Sequence, residues 1–210
     1  MTQDPRAHVT LTIGSHLAPQ DGLCLMEAVS IAAGLPFSDA PTCTPPLLAH
    51  LARLVNDASS TAARQELSAL IPALAAASEA ASPDDHLRAP DLDAAIQLVC
   101  ACTEYALGLH ATPLLRHFHA VAVWLRERDQ RLRRPWRRSI IAQRAMAATF
   151  LRGPAPRALE AAVTACLALS RGERDLALAG LLRTGLTASL QPATAASCTR
   201  EARCLAPAPR

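Results

Sequence analysis

Residues 91–133, DLDAAIQLVCACTEYALGLHATPLLRHFHAVAVWLRERDQRLR, read as two long helices in succession. Asp91 stands as the cap of the first, which runs to about Leu109. Thr112 caps the second, and Pro113 follows at the first helical position, where its missing N–H costs nothing. That helix ends near Arg133, and Pro135 both stops it and opens another, running to Leu151. The most apolar part, Ala94 to Leu109, is interrupted by Gln97 and Glu104 and reads as a core helix that falls short of a membrane span.

The flanking sequence repeats this pattern of short apolar helices punctuated by proline and glycine. Leu23 to Ala33 (LCLMEAVSIAA) is a helix stopped by Gly34 and Pro36, and a Pro-rich connector, Leu35 to Pro46, follows. Pro46 or Leu47 opens a helix to Asn56 with Leu47, Leu51, Leu54 and Val55 on one face. Ser60 or Thr61 caps the next, which Pro72 kinks or restarts. Pro154–Ser170 and Glu173–Leu186 complete the set. The segment before Leu23 is irregular, with His8–Ile13 alternating as a lone extended stretch. The expected fold is all-α: a bundle of seven to eight helices with an irregular N-terminal cap segment, residues 14–46. The helical domain spans 1–189, with an internal boundary near 80–90, and 190–210 carries no periodicity and reads as a disordered tail.

Composition agrees. Half of the 210 residues are apolar, but only six are aromatic and 45 are alanine, so the core must be Ala, Leu and Val. That favours helix over a sandwich or barrel. All 21 basic residues are Arg; without Lys, Schiff-base and P-loop chemistry are excluded. Seven irregularly spaced cysteines with no CxxC pair point to free thiols in a reducing compartment, and no charged start precedes an apolar leader, so the expected location is cytoplasmic. Residues 1–105 carry four Arg against twelve acids, net −8, and residues 106–210 seventeen Arg against six acids, net +11. Such asymmetry fits either two halves that dock on each other or an acidic partner for the second half.

Residues 14–57, GSHLAPQDGLCLMEAVSIAAGLPFSDAPTCTPPLLAHLARLVND, hold the candidate chemistry. Glu27 is the only charge between Asp21 and Asp39 and shares a helix face with Cys24, Ser30 and Ile31. Either it is structural, capping a backbone amide or pairing with Arg53, or desolvation raises its pKa and makes it a general acid or base. Glu27, His16 and Asp39 are thus the catalytic candidates, and Cys24, Ser30, Arg53, Asn56 and Asp57 the substrate-binding ones. A thiol nucleophile at Cys24 would need His16 or His50 as base. The set includes ligand types for zinc, but Cys24 and Cys43 are too far apart for a compact site, so no metal is expected. His110, His117 and His119, and likewise Cys100 and Cys102, read as surface and core residues respectively.

Gly14-Ser15-His16, Pro19, Gly22, Cys24, Met26-Glu27, Ala33-Gly34, Ser38-Asp39, Pro41, Cys43, Pro46, Asn56-Asp57 and Arg64 together resemble the N-terminal signature of an uncharacterised family of high-GC bacterial and phage proteins. The resemblance covers roughly residues 12–74, about a third of the chain. It implies a shared site in this segment without implying a reaction. Leu35 stands where that signature has an acid.

A second feature is Arg126 to Arg138, RERDQRLRRPWRR, with seven Arg in thirteen residues. Guanidinium groups bind phosphate, sulfate and carboxylate through paired hydrogen bonds. Arg126, Arg131, Arg134, Trp136, Arg137 and Arg138 are therefore the partner-binding candidates, for an acidic carrier protein or partner subunit, or for nucleic acid. Against nucleic acid stand the single Trp, the diluting Glu127 and Asp129, and the lack of a helix-turn-helix or zinc-finger pattern.

No GxGxxG, GxxxxGK or HExxH run occurs, so nicotinamide, ATP and zincin chemistry lack their usual signs. The function expected is that of a small enzyme or enzyme subunit of specialised metabolism, of lyase or cyclase type. It would act without a cofactor by acid–base chemistry (elimination, cyclisation or hydration) on a small anionic substrate. The alternative is a non-catalytic binding module, either a nucleic-acid-associated regulator or a scaffold in a hetero-oligomer, with no membrane partner in either case.

Overall fold

The computed structural model describes residues 10–78, 92–132 and 140–190, the side chains of 128–132, 140–144 and 146 aside. Its elements are α1 (Leu25–Ala32), α2 (Pro46–Ala58), α3 (Thr61–Glu66), α4 (Ile71–Ala75), α5 (Leu92–Leu109), α6 (Pro113–Leu132), α7 (Ile140–Arg152), α8 (Pro154–Leu167) and α9 (Arg171–Leu190). The protein is an all-α bundle. Seven helices of eight residues or more occur among the described residues, and α3 and α4 are short pieces of one run broken by a 3₁₀ turn at Leu67–Leu70. The break sits just ahead of Pro72, which lacks the N–H a continuous helix would use and restarts the run as α4. The internal boundary expected near 80–90 and the tail after Leu190 lie outside the described residues.

Around α5 the bundle assembles: α6, α8 and α9 all pack on it. By length and composition α5 is apolar enough to cross a membrane, more than the sequence reading allowed, and its Ile96, Val99, Cys102 and Ala106 are buried in protein contacts. With so few aromatic rings, the core closes by bringing backbones together. Ala155, Ala158, Ala162 and Ala165 are all but fully buried on α8. Gly180 and Gly185 let α9 approach its neighbours. A Cβ on Gly185 would lie 2.6 Å from Leu51 Cδ2 and 3.2 Å from Cys102 Sγ, and one on Gly180 would collide with the Tyr105 hydroxyl. Close packing of this kind substitutes for the area that aromatic side chains usually supply.

The pattern expected for α9 ended at Leu186, but the helix continues to Leu190. Thr187 and Ser189 return their hydroxyls to the carbonyls of Arg183 and Gly185, at 2.9 Å each, and Ala188 is buried, so packing carries the helix past the last clear apolar repeat.

The N-terminal quarter rests on this bundle through α2, whose Leu48, Leu51, Ala52 and Val55 are fully buried between α1 on one side and α8 and α9 on the other. The two oppositely charged halves thus dock mainly through apolar surface. Each such leucine contributes about 1.5–3 kcal/mol by burial, more than an exposed ion pair supplies. A polar tie sits at the edge: Asp175 of α9 accepts from Ser60 N (3.0 Å) and Ser60 Oγ (2.6 Å), while Ser60 Oγ lies 3.4 Å from Ala63 N as the cap of α3.

Candidate functional site

Local sequence builds the first half of the site. Cys24 is the N-cap of α1 and Glu27 its third residue, the spacing of a capping box, with a thiol where serine or threonine is usual. Cys24 N donates to Glu27 Oε2 (2.7 Å), and Glu27 N donates in return to Cys24 Sγ (3.4 Å). The carboxylate then reaches beyond its helix. His16 N donates to Oε1 at 2.6 Å, and the His16 ring places Nδ1 2.8 Å from Oε2. On the far side of the ring, Nε2 lies 3.0 Å from Thr12 Oγ1.

Thr12 is fixed by the chain segment that precedes α1. Leu11 forms a lone parallel bridge with Leu23, so among the described residues the extended stretch expected at His8–Ile13 exists as one rung, His8 and Val9 lying outside them. Thr12 N donates to Leu23 O (2.7 Å), and Leu23 N donates to Thr12 Oγ1 (3.1 Å). Gln65 clasps the Leu11 backbone from both sides, accepting from Leu11 N (2.9 Å) and donating to Leu11 O (2.8 Å). Gly22 closes the pocket of the ring. Its φ is +128°, and a Cβ there would fall 2.6 Å from Thr12 Oγ1 and 2.9 Å from His16 Nε2, so glycine is required on both counts.

Burial alters the expected chemistry of Glu27. Its exposure is 1%, and burial does push its carboxyl up, as expected from the sequence. The backbone N–H groups of Cys24 and His16, together with the His16 ring, outweigh that push and leave the pKa below the ordinary value. The raised pKa expected of a general acid is therefore corrected: Glu27 is an ionised acceptor. Nor does it pair with Arg53, which donates from Nη1 to Asp39 O (2.6 Å) and holds its Nε 3.8 Å from the Asp39 carboxylate.

The other candidates are drawn into the same scaffold. Asn56 Oδ1 accepts from Leu25 N (3.2 Å), and its Nδ2 donates to Thr12 O (2.8 Å) and Asp57 Oδ1 (2.9 Å). Asp57 Oδ1 also accepts from Gly14 N (2.8 Å). Ser30 is buried and donates to Pro36 O, holding the turn after α1. Arg64, in the resembled signature, is buried and donates to Asn56 O (2.8 Å) and Ser59 O (2.6 Å) at the end of α2. Cys24, Ser30 and Asn56 thus act from inside, and His16 and Thr12 are the half-buried members of the group. Burial drives the Cys24 thiol up to about 12, so it stays protonated at neutral pH.

Sequence reasoning reached His16 and Glu27 but missed Thr12 and Gln65. Thr12 and His16 are four residues apart, yet no helix joins them. The one available signal was the alternation around Thr12, which does not say which strand it would meet. Among the described residues no three His, Cys, Asp or Glu gather as a metal-binding group. His119 Nδ1 lies 2.9 Å from Thr103 Oγ1 between α6 and α5. His50 faces Glu160 at 3.8 Å rather than Cys24. Arg126 is half-buried on α6; Arg131 lies in that helix with its side chain outside the described residues, as are Arg134, Trp136, Arg137 and Arg138 altogether.

These features define an all-α protein whose N-terminal segment is locked to the bundle around a carboxylate–imidazole–hydroxyl relay. No family model, curated protein or solved structure matches the chain.

Proposed function

We propose that the protein is a small acid–base enzyme acting on a polar substrate, with His16 as its base and Glu27 as the group that positions it. One observation carries this reading: the His16 ring bridges Glu27 Oε2 (2.8 Å) and Thr12 Oγ1 (3.0 Å) while keeping 13% of its side chain exposed. A base oriented by a buried carboxylate is the arrangement that proton transfer uses. The ionised carboxylate accepts only, so a neutral His16 ring carries its proton on Nδ1 and keeps a lone pair on Nε2. Among the described arginines of the N-terminal half, Arg53 retains solvent contact and is the group that would meet an anionic substrate, whereas Arg64 is consumed by two carbonyls.

The test is consumption of components of a polar-metabolite extract, followed by mass spectrometry, by the wild-type chain and by folded His16→Gln. A feature consumed by the first and spared about 10²-fold or more by the second supports the reading. Equal consumption by both removes His16 as base, and no consumption by the wild type removes the enzyme.

The binding-module alternative has its own observation. The loop so firmly held displays Ile13, 61% exposed, and Leu17, 97% exposed, and apolar side chains on a preorganised loop are suited to meet a protein partner. Co-purification of a partner by the wild type that Leu17→Asp abolishes, with no metabolite consumed, would favour that reading.

A further inference from the structure

The hydroxyl of Thr12 stands to His16 as a nucleophile stands to its base. Its Oγ1 lies 3.0 Å from Nε2, the nitrogen opposite the one bound to Glu27. The chain of contacts, hydroxyl to Nε2, Nδ1 to carboxylate, is that of a nucleophile, a base and an orienting acid, with threonine and glutamate in the outer roles. With the Nδ1 proton directed at Glu27, the Thr12 O–H has two acceptors in reach, His16 Nε2 at 3.0 Å and the Leu23 carbonyl at 3.3 Å, and Nε2 is the nearer. Leu23 N donates to the same oxygen at 3.1 Å, which favours negative charge as the proton leaves. Gly22 packs against the pair on one side, and Thr12 and His16 are both half-buried rather than sealed.

We infer that Thr12 is a covalent nucleophile for acyl transfer from an ester. This rests on the assignment of His16 as base. Thr12 Oγ adds to the acyl carbon as its proton passes to His16 Nε2. The carbon–oxygen bond to the alcohol then breaks, the alcohol oxygen takes the proton from His16, and the acyl group remains on Thr12 as an ester. Water adds next, giving a proton to His16, and the bond to Thr12 Oγ breaks as that proton returns to it. The sum is ester plus water giving acid plus alcohol, with no oxidant or reductant.

A fluorophosphonate probe applied to the full chain tests this, read by intact mass and peptide mapping, with p-nitrophenyl acetate turnover in parallel. The expected result is one equivalent of probe on residue 12, labelling lost in Thr12→Val, kept in Thr12→Ser, and slowed at least tenfold in His16→Gln, each variant folded by circular dichroism. Absence of label from the wild type, label on another residue, or label insensitive to His16 would overturn it. Should metabolite consumption depend on His16 but survive in Thr12→Val, the base assignment stands and the nucleophile falls. Should His16→Gln leave both readouts unchanged, both fall together.

Discussion

His16 and Glu27 are joined twice: the backbone N–H of His16 meets Oε1 at 2.6 Å, and its ring Nδ1 meets Oε2 at 2.8 Å. One carboxylate therefore caps α1, anchors the loop before it, and orients the imidazole. Three tasks on one buried group make its replacement costly.

Glu27→Gln should destabilise the protein by about 2–3 kcal/mol, because an amide turns an N–H toward donors that are buried with it. At this chain length that is roughly 5–10 °C of melting temperature. A calorimetric shift below 1 °C would mean that the loop is held by Asn56, Asp57 and Gln65 without it.

Gly22→Ala should lose both stability and the His16–Thr12 contact. The new methyl meets Thr12 Oγ1 at 2.6 Å on a backbone of φ +128° that disfavours any side chain. We expect a loss of about 2 kcal/mol or more and a displaced His16 ring resonance in NMR spectra. A Gly34→Ala control is also at positive φ, +67°, but has open space around it, so it should leave His16 unmoved.

Acid should unfold the protein in two stages. Burial, reinforced by the Arg53 charge, holds the His50 pKa below its ordinary value. Its neutral form is thus favoured in the fold, and stability declines as pH falls below about 6.5. Glu27 and Asp175 are also held below their ordinary values, Asp175 by the Ser60 hydroxyl and N–H. Their contribution is complete above about pH 4–4.5 and is lost as pH falls through the lower folded values. Denaturant titrations from pH 8 to 3 should show both declines, and the second should be shallower in Glu27→Gln. Stability rising on acidification would contradict both assignments.

Among the described cysteines, Cys43 should alkylate first. It is partly exposed, whereas Cys24, Cys100, Cys102 and Cys166 are buried, with burial pushing Cys24 to about 12 and Cys166 to about 11. Iodoacetamide with peptide mapping should find Cys43 at least tenfold faster, and faster labelling of Cys24 would show that the α1 cap opens.

Much of the helical architecture was legible from local rules. Thr112–Pro113, Ser60 and the Gly34–Pro36 stop mark ends that the chain uses, because caps and proline act within one turn. Even the Cys24–Glu27 spacing, three residues, is a local fact. The roles of the candidate residues were not legible in the same way. Of the two readings open for Glu27, the amide cap is the one the fold uses and the desolvated, raised carboxyl is not, because a carboxyl's pKa depends on which donors surround it, and two of them belong to His16, eleven residues away.

Sequence by itself determined an all-α chain with an alanine-built core, since propensity, capping and apolar period are summed over neighbours along the chain. Only the tertiary structure decided that Thr12 meets His16, that Asn56 ties α2 to Thr12 across 44 residues, and that Gly185 admits Leu51. Those contacts depend on the path by which the segment before α1 folds back onto α1 and α2 packs between α1 and α9. Hydrogen bonds and close packing act over about 3–4 Å, and no spacing rule along a chain specifies such distances between residues that the fold alone brings together.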